Sequence, residues 1–266
     1  MTEQQYNNLE FSIDEGLAIL TLNRPDRLNS FTAEMHQEVK QVFKTIKRDD
    51  SIRCLLITGN GRGFCAGQDL GDRSVSASDQ APDLSASIEQ NYNPLIRTIT
   101  SLEMPVICAV NGVAAGAGAN IALACDLVLA ARSASFIQSF NKLGLVPDSG
   151  GTWILPKLVG QARAMSLCLL GTKVSAEDAL NMGMISQVLD DEQLLGEATN
   201  LGRQLAEAPT KGLALIKRAI HASAENTFDQ QLDLERDLQG IAGRSDDYRE
   251  GVAAFMEKRK PNYKGK

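Results

Sequence analysis

The sequence predicts an α/β fold, and three observations carry that prediction. Short, continuously apolar runs such as Arg53-Cys-Leu-Leu-Ile-Thr58 and Val106-Ile-Cys-Ala-Val110 have the character of strands buried on both faces. A segment with helical spacing of its apolar residues lies between strand-like runs. Glycine and alanine crowd the points where the strands end, as at Gly59-Asn-Gly-Arg-Gly-Phe-Cys-Ala-Gly67.

In chain order, Leu17-Ala-Ile-Leu-Thr-Leu22 reads as the first strand, stopped by Asn23-Arg-Pro25. Thr32 suits a helix N-cap with Glu34 in the first turn, and Met35, Val39, Val42, Phe43 and Ile46 then form one apolar face. That pattern predicts an amphipathic helix over 32–48. The strand at 53–58 runs into the first glycine-rich loop, which ends at Gln68-Asp69. Residues 71–93 are polar and rich in Ser and Asp, either a mobile flap beside a site or surface decoration. The strand at 106–110 turns through Asn111-Gly112 into a small-residue helix reaching Cys125. Leu127-Val-Leu-Ala130 and Ser135-Phe-Ile137 are further strands. Beyond about residue 160 the strand signal ends. Helices are expected at 161–170, from Ser175, and at 192–207, 211–223, 228–240 and 246–258.

The 266 residues suffice for one large domain, with a core over residues 1–200 and a helical region over 201–266. With Lys+Arg at 27 and Asp+Glu at 33 the net charge is −6, which argues against a nucleic-acid or anionic-membrane surface. No apolar run spans a bilayer and the N-terminus lacks signal-peptide character, so a cytoplasmic location is expected. Five scattered cysteines without a CxxC, and only two histidines, support neither a disulfide framework nor a metal site. Cys65, in the glycine-rich stretch, is either a reactive thiol or a small buried hydrophobe, and packing is favoured.

Three segments carry the candidate chemistry. Two strand ends, at Gly63–Asp69 and Gly112–Asn120, let backbone N–H groups approach a ligand closely, and together they could form an oxyanion hole. The third, Gly144-Leu-Val-Pro-Asp148-Ser-Gly-Gly151, sets a carboxylate on a turn leading into a helix. Asp148 is there either an N-cap or a general acid/base.

These residues, with Asn23-Arg-Pro25, Asn111–Asp126 and Phe255-Met-Glu-Lys-Arg-Lys260, resemble the crotonase, or enoyl-CoA hydratase/isomerase, superfamily. Within it, GFCAGQDL, NGVAAGAGA, KLGLVPDSGGTW and the tail QLDLERD…AGRSDDYREGV are most similar to the isomerase branch of bacterial aerobic phenylacetate degradation. The resemblance implies a spiral of ββα units with a C-terminal helical trimerisation region, assembled as a trimer or a hexamer of paired trimers. It implies an acyl-CoA substrate, with no cofactor beyond the CoA that the substrate carries. The oxyanion-hole amides fall on Gln68 and Ala117. Contacts to CoA or the acyl group fall on Arg27, Ala66, Gly67, Asp69, Leu70, Gly116, Asn120, Phe140, Phe255 and Lys258, the last two commonly reaching a neighbouring subunit's ligand.

One departure from the family pattern directs the chemistry. Hydratases of the superfamily carry glutamates at the positions of Asn120 and Phe140, and neither residue here can exchange a proton. The remaining carboxylate, Asp148, suits a proton shift between two carbons. The resemblance therefore implies isomerisation of a ring-1,2-epoxide of phenylacetyl-CoA to the seven-membered oxepin-CoA, through an enolate whose electrons assist epoxide opening. Migration of a 3-enoyl-CoA double bond is expected of the same base. Two other readings stand beside it: a hydratase that activates water with Asp148 alone, and a non-catalytic acyl-CoA-binding scaffold subunit.

Overall fold

A computed structural model describes residues 6–73 and 83–266. The chain opens with an antiparallel hairpin, β1 (Leu9–Asp14) and β2 (Leu17–Leu22). A 3-10 turn, Pro25–Arg27, leads to α1 (Ala33–Ile46). Thr32 caps α1 by accepting from Met35 N–H, and the five apolar residues of the predicted face are all buried. Next come β3 (Cys54–Gly59) and β4 (Gly63–Cys65), the short α2 (Leu84–Ser87), a π-helical turn at Ile88–Tyr92, and α3 (Asn93–Ser101). The pattern of two strands and a helix recurs with β5 (Val106–Val110), β6 (Val113–Ala115) and α4 (Ala117–Leu123). It recurs again with β7 (Leu127–Ala131), β8 (Ser135–Ile137), α5 (Gly151–Val159) and α6 (Gln161–Leu170).

Each repeat places its first strand in one sheet and its second in another. The six-stranded sheet has the order β1-β2-β3-β5-β7-β10, and the four-stranded sheet has the order β4-β6-β8-β9. Beyond the antiparallel β1–β2 hairpin, the larger sheet is parallel throughout. This is the spiral of ββα units that the resemblance implied. All five residues of β5 are buried, as are the first five of β3, which accounts for their uninterrupted apolar character. The last turn is formed by β9 (Lys173–Ser175), α7 (Ala176–Asn181) and β10 (Gln187–Leu189). Helix α8 (Leu194–Glu207) packs across β2, β3, β5 and β7, and α9 (Thr210–Ala222), α10 (Phe228–Ala242) and α11 (Asp246–Glu257) follow. Residue 200 lies inside α8, so the start of the helical region covers the sheet directly.

Several elements differ from the sequence expectation. The strand signal does not end at 160: β9 and β10 are three-residue strands, each added at the edge of an existing sheet. Strand β1 carries little apolar pattern because only Leu9 of its six residues is buried. The stretch 71–93 is not one loop. Asp83 caps α2 by accepting from Ala86 N–H, and the turn continues into α3 with Tyr92 buried. The predicted flap lies in part outside the described residues. Asp148 is not a helix N-cap: that position belongs to Gly150, at φ 76°.

Among the described residues no helix is long and apolar enough to cross a membrane, and no cluster of three or more His, Cys, Asp or Glu could hold a metal ion.

One buried side chain ties the first turn of the spiral together. Asn29 accepts from Arg24 N–H at 2.8 Å and donates to Asn60 O at 2.9 Å and to Gly63 O at 2.8 Å. It does so from the left-handed backbone region, at φ 54°, which asparagine tolerates better than most residues. Replacing it by alanine removes all three bonds, the one to Gly63 O being fully buried, so Asn29→Ala is expected to cost about 2 kcal/mol in denaturant unfolding with an unchanged m-value.

Candidate active site

The first two glycine-rich loops meet backbone to backbone. Phe31 N–H donates to Gly67 O at 2.7 Å and Asp69 N–H donates to Phe31 O at 2.9 Å. In this parallel pairing the intervening residue, Gln68, turns its own N–H away from Phe31. On the other side lies the turn from β6 into α4. A side-chain carbon at Gly67 would fall 2.9 Å from Ala115 O and 3.3 Å from Ala117 N, and one at Gly118 would fall 2.2 Å from Cys65 O. Gly67 also has φ +90°, where a side chain is strained. The structure thus brings the segments carrying the Gln68 and Ala117 amides into contact.

The side chain of Gln68 is held from behind. Its Nε2 donates to Phe31 O at 3.0 Å, and its Oε1 accepts from the Tyr92 hydroxyl at 3.0 Å. Tyr92 stands edge-on to His36 at 4.5 Å between ring centroids, and Phe31 lies 4.7 Å from His36. Tyr92 was hidden in a polar stretch of sequence, and nothing local marks it as a support for this loop.

The third segment reaches the same place through Asn120. That residue is fully buried on α4 and donates from Nδ2 to the main-chain oxygen of Asp148 at 2.8 Å. The Asp148 side chain is half-buried and accepts from the Ser149 hydroxyl at 2.9 Å. Phe140 is buried, with its ring about 3.8 Å from where a side chain at Gly116 would begin, so it backs the turn before Ala117. Gly116 itself has φ 54° and its N–H donates to Ile137 O at 2.9 Å.

The remaining predicted contacts divide. Ala66 donates its N–H to Leu28 O at 2.9 Å, and Leu70 is exposed beyond it. The Asp69 carboxylate accepts from Arg24 at 2.9 Å and from Gly71 N–H at 3.0 Å. Burial works against its charge, but Arg24 and Gly71, with Arg27 nearby, hold its pKa below the ordinary aspartate range. Arg27 is exposed on the 3-10 turn beside it. Asn120 spends its polar atoms on protein partners and does not open onto the surface. Phe255 and Lys258 lie at the exposed end of α11, and the chain by itself does not bring them to the loops.

Cys65 is buried, with its thiol donating to Asn29 O at 3.2 Å. Burial pushes its pKa up to about 12, partly opposed by Gly67 N–H, so the packing reading of this thiol holds.

The chain matches the enoyl-CoA hydratase/isomerase family over residues 12–266. It is 60% identical to the 1,2-epoxyphenylacetyl-CoA isomerase of Escherichia coli over 96% of this chain and 97% of that one. Among solved structures, an enoyl-CoA hydratase from Bacillus anthracis superposes with a TM-score of 0.92 at 30% identity, covering 98% of this chain and all of that one. One from Polaromonas sp. JS666 has a TM-score of 0.89 at 35% identity, covering 96% and 99%.

Two outcomes follow from the geometry. Tyr92→Phe removes the hydroxyl bond to Gln68 without changing the ring, and turnover should fall about two- to tenfold, the worth of one hydrogen bond, with little change in melting temperature. Cys65 should remain unmodified by iodoacetamide at pH 8 in the folded protein and react fully once unfolded, as read by mass spectrometry.

Proposed function

The chain belongs to the enoyl-CoA hydratase/isomerase family, and from that premise we propose that it isomerises ring-1,2-epoxyphenylacetyl-CoA to oxepin-CoA. It is an enzyme of CoA-thioester isomerisation. The observation that carries the specific reading is the placement of Asp148. A hydrogen bond from Asn120 ties its main chain to α4, the helix that begins at Ala117, while the two positions where hydratases carry glutamate hold an internally bonded amide and a buried phenyl ring. The 60% identity to the E. coli isomerase supports the same substrate.

In the proposed mechanism the thioester oxygen accepts hydrogen bonds from the Gln68 and Ala117 amides. Asp148 takes the proton from the α-carbon, and the electron pair moves onto that oxygen as an enolate. Return of the pair towards the ring opens the epoxide and leads to ring expansion, and the proton is given back to a different carbon. No atom is gained or lost. The two amides face the charge only as it develops, which lowers the barrier rather than merely tightening binding. A 3-enoyl-CoA would follow the same path, its double bond moving into conjugation.

The same proposal takes in the assembly and the remaining contacts. A homotrimer, singly or paired into a hexamer, would cover the exposed Phe228 and Phe255, at 77% and 82% exposure, and would bring Phe255 and Lys258 to a neighbour's CoA. Arg27, Ala66, Gly67, Asp69 and Leu70 would line the CoA path. The chemistry needs no cofactor beyond the substrate's CoA. A cytoplasmic location agrees with five free cysteines, four of them buried.

The test is proton exchange in D₂O, followed by NMR with a 3-enoyl-CoA and then with the epoxide. The wild type should incorporate deuterium as the double bond migrates. Asp148→Asn should slow both by at least about 10²-fold. Water addition to crotonyl-CoA at a comparable rate would favour the hydratase reading, and full activity in Asp148→Asn would remove Asp148 from the chemistry.

A further inference from the structure

The clearest unexplained feature of the site is an amide pair beneath Asp148. Asn120 has no exposed surface, and its two polar atoms can be assigned without ambiguity. The Asp148 carbonyl can only accept, so the atom 2.8 Å from it is the donor Nδ2. Asn120 Oδ1 therefore faces Gln138, which must donate from Nε2, also at 2.8 Å. Gln138 is 5% exposed, and its Oε1 is left with no partner among the described residues. A buried acceptor left open is unfavourable, so the pair is not explained by its own hydrogen bonds alone.

What the pair holds is the segment carrying the carboxylate. The Asp148 carbonyl receives a second bond, from Gly151 N–H at 2.9 Å. The Asn120 amide lies directly against Gly151, where a side-chain carbon would fall 2.3 Å from Nδ2. Only glycine at 151 lets the amide reach the carbonyl. At the other end, Ser149 adopts φ 53°, an uncommon conformation for serine, and from it the hydroxyl donates to Asp148 Oδ1. Asp148 is thus fixed through its main chain and through its carboxylate.

We propose that Asn120, clamped by Gln138, is a positioning residue that sets the Asp148 carboxylate for proton transfer and makes no contact with the acyl-CoA. This rests on the reading of Asp148 as the base. A carboxylate at 120 would set oxygen against the Asp148 carbonyl and replace attraction by repulsion. Glutamate would in addition drive its extra methylene into Gly151. The amide at this position is therefore required by the placement of Asp148, and it would not tolerate the proton-exchanging group that hydratases keep there.

The experiment compares Asn120→Asp, Gln138→Leu and Asp148→Asn in three readouts. These are kcat and KM for 3-enoyl-CoA isomerisation, α-proton exchange in D₂O, and the Kd of phenylacetyl-CoA as a non-reacting ligand. Asn120→Asp preserves size and removes the donor. It should lower kcat and α-exchange together, about 10- to 100-fold, with KM and Kd within twofold of wild type. Gln138→Leu keeps the donor and loosens it, and a smaller fall of about three- to tenfold in kcat is expected, again with KM and Kd unchanged. A rise in KM or Kd with kcat preserved would make Asn120 a substrate contact and overturn the proposal. So would wild-type kcat in Asn120→Asp while Asp148→Asn is inactive. Should Asn120→Asp fail to fold, Gln138→Leu decides alone, and wild-type kcat in it overturns the clamp. Wild-type exchange in Asp148→Asn is a different failure: it removes the base, and the clamp with it.

Discussion

The pairing of residues 28–31 with residues 66–69 is the constraint on which the site depends. Leu28 O accepts Ala66 N–H, Phe31 N–H reaches Gly67 O, and Asp69 N–H returns to Phe31 O. Alternation along this short ladder leaves Gln68 N–H facing away from Phe31, while the adjacent Gly67 lies against the turn that carries Ala117. The pairing persists because the chain before it is over-determined. Leu28 and Asn29 both lie in the left-handed region, at φ 48° and 54°, and the three hydrogen bonds of Asn29 fix that geometry. Arg24 joins the two ends by reaching both the Ser30 carbonyl and the Asp69 carboxylate. Backbone amides cannot be re-aimed by a change of rotamer. Their direction is a property of the fold, which is what the proposed mechanism asks of groups that stabilise charge appearing only in a transition state.

Close approach of the main chains demands the absence of side chains. At Gly67, Gly112 and Gly118 a side-chain carbon would fall within 3 Å of a carbonyl oxygen in a neighbouring segment. The composition of these loops follows from contact between successive turns of the spiral, at the ends of the paired strands β4 and β6, as much as from any ligand. The helical region is attached by different means. Lys217 of α9 meets Asp126 at 2.9 Å, with both side chains largely buried, and its Nζ also donates to Ile99 O at 3.0 Å. Asp126 in turn accepts from Val106 N–H, the first residue of β5. A buried pair of this kind adds little net stability, but removing one partner leaves the other charge stranded, so it fixes where α9 can dock.

The parts of the fold legible in the sequence are those whose information is local. Helix α1 was readable to within two residues at either end because its apolar stripe and the Thr32 cap lie within its own segment. The same holds for α6, and for α8 to α11 to within about two residues. Strands β4, β6, β9 and β10 have three residues each, too few for a period, and their pairing is decided by neighbouring strands. The site divides in the same way. The loops carrying Gln68 and Ala117 and the turn carrying Asp148 were visible because glycine and a lone carboxylate stand out. Asn29, Tyr92 and Gln138 were not, because the partners that matter lie far along the chain, 34 residues for Asn29 to Gly63, 24 for Tyr92 to Gln68 and 18 for Gln138 to Asn120.

Asn120 shows why residue type alone misleads at such positions. Its place in the sequence, one helical turn after Ala117, directs attention to the ligand, and an asparagine there reads first as a contact. The structure gives its donor to a main-chain carbonyl and its acceptor to Gln138. An apolar residue of the same size would leave the Asp148 carbonyl with Gly151 alone, and the turn would be free to shift on its hinge at Ser149 and Gly150, both with positive φ. An acid would repel that carbonyl. Only a neutral side chain with an N–H at that distance both fills the space against Gly151 and restrains the turn. In the proposed mechanism, the amide that removes a proton-exchanging group from one side of the site therefore also steadies the Asp148 carboxylate on the other, and a single residue type satisfies both demands.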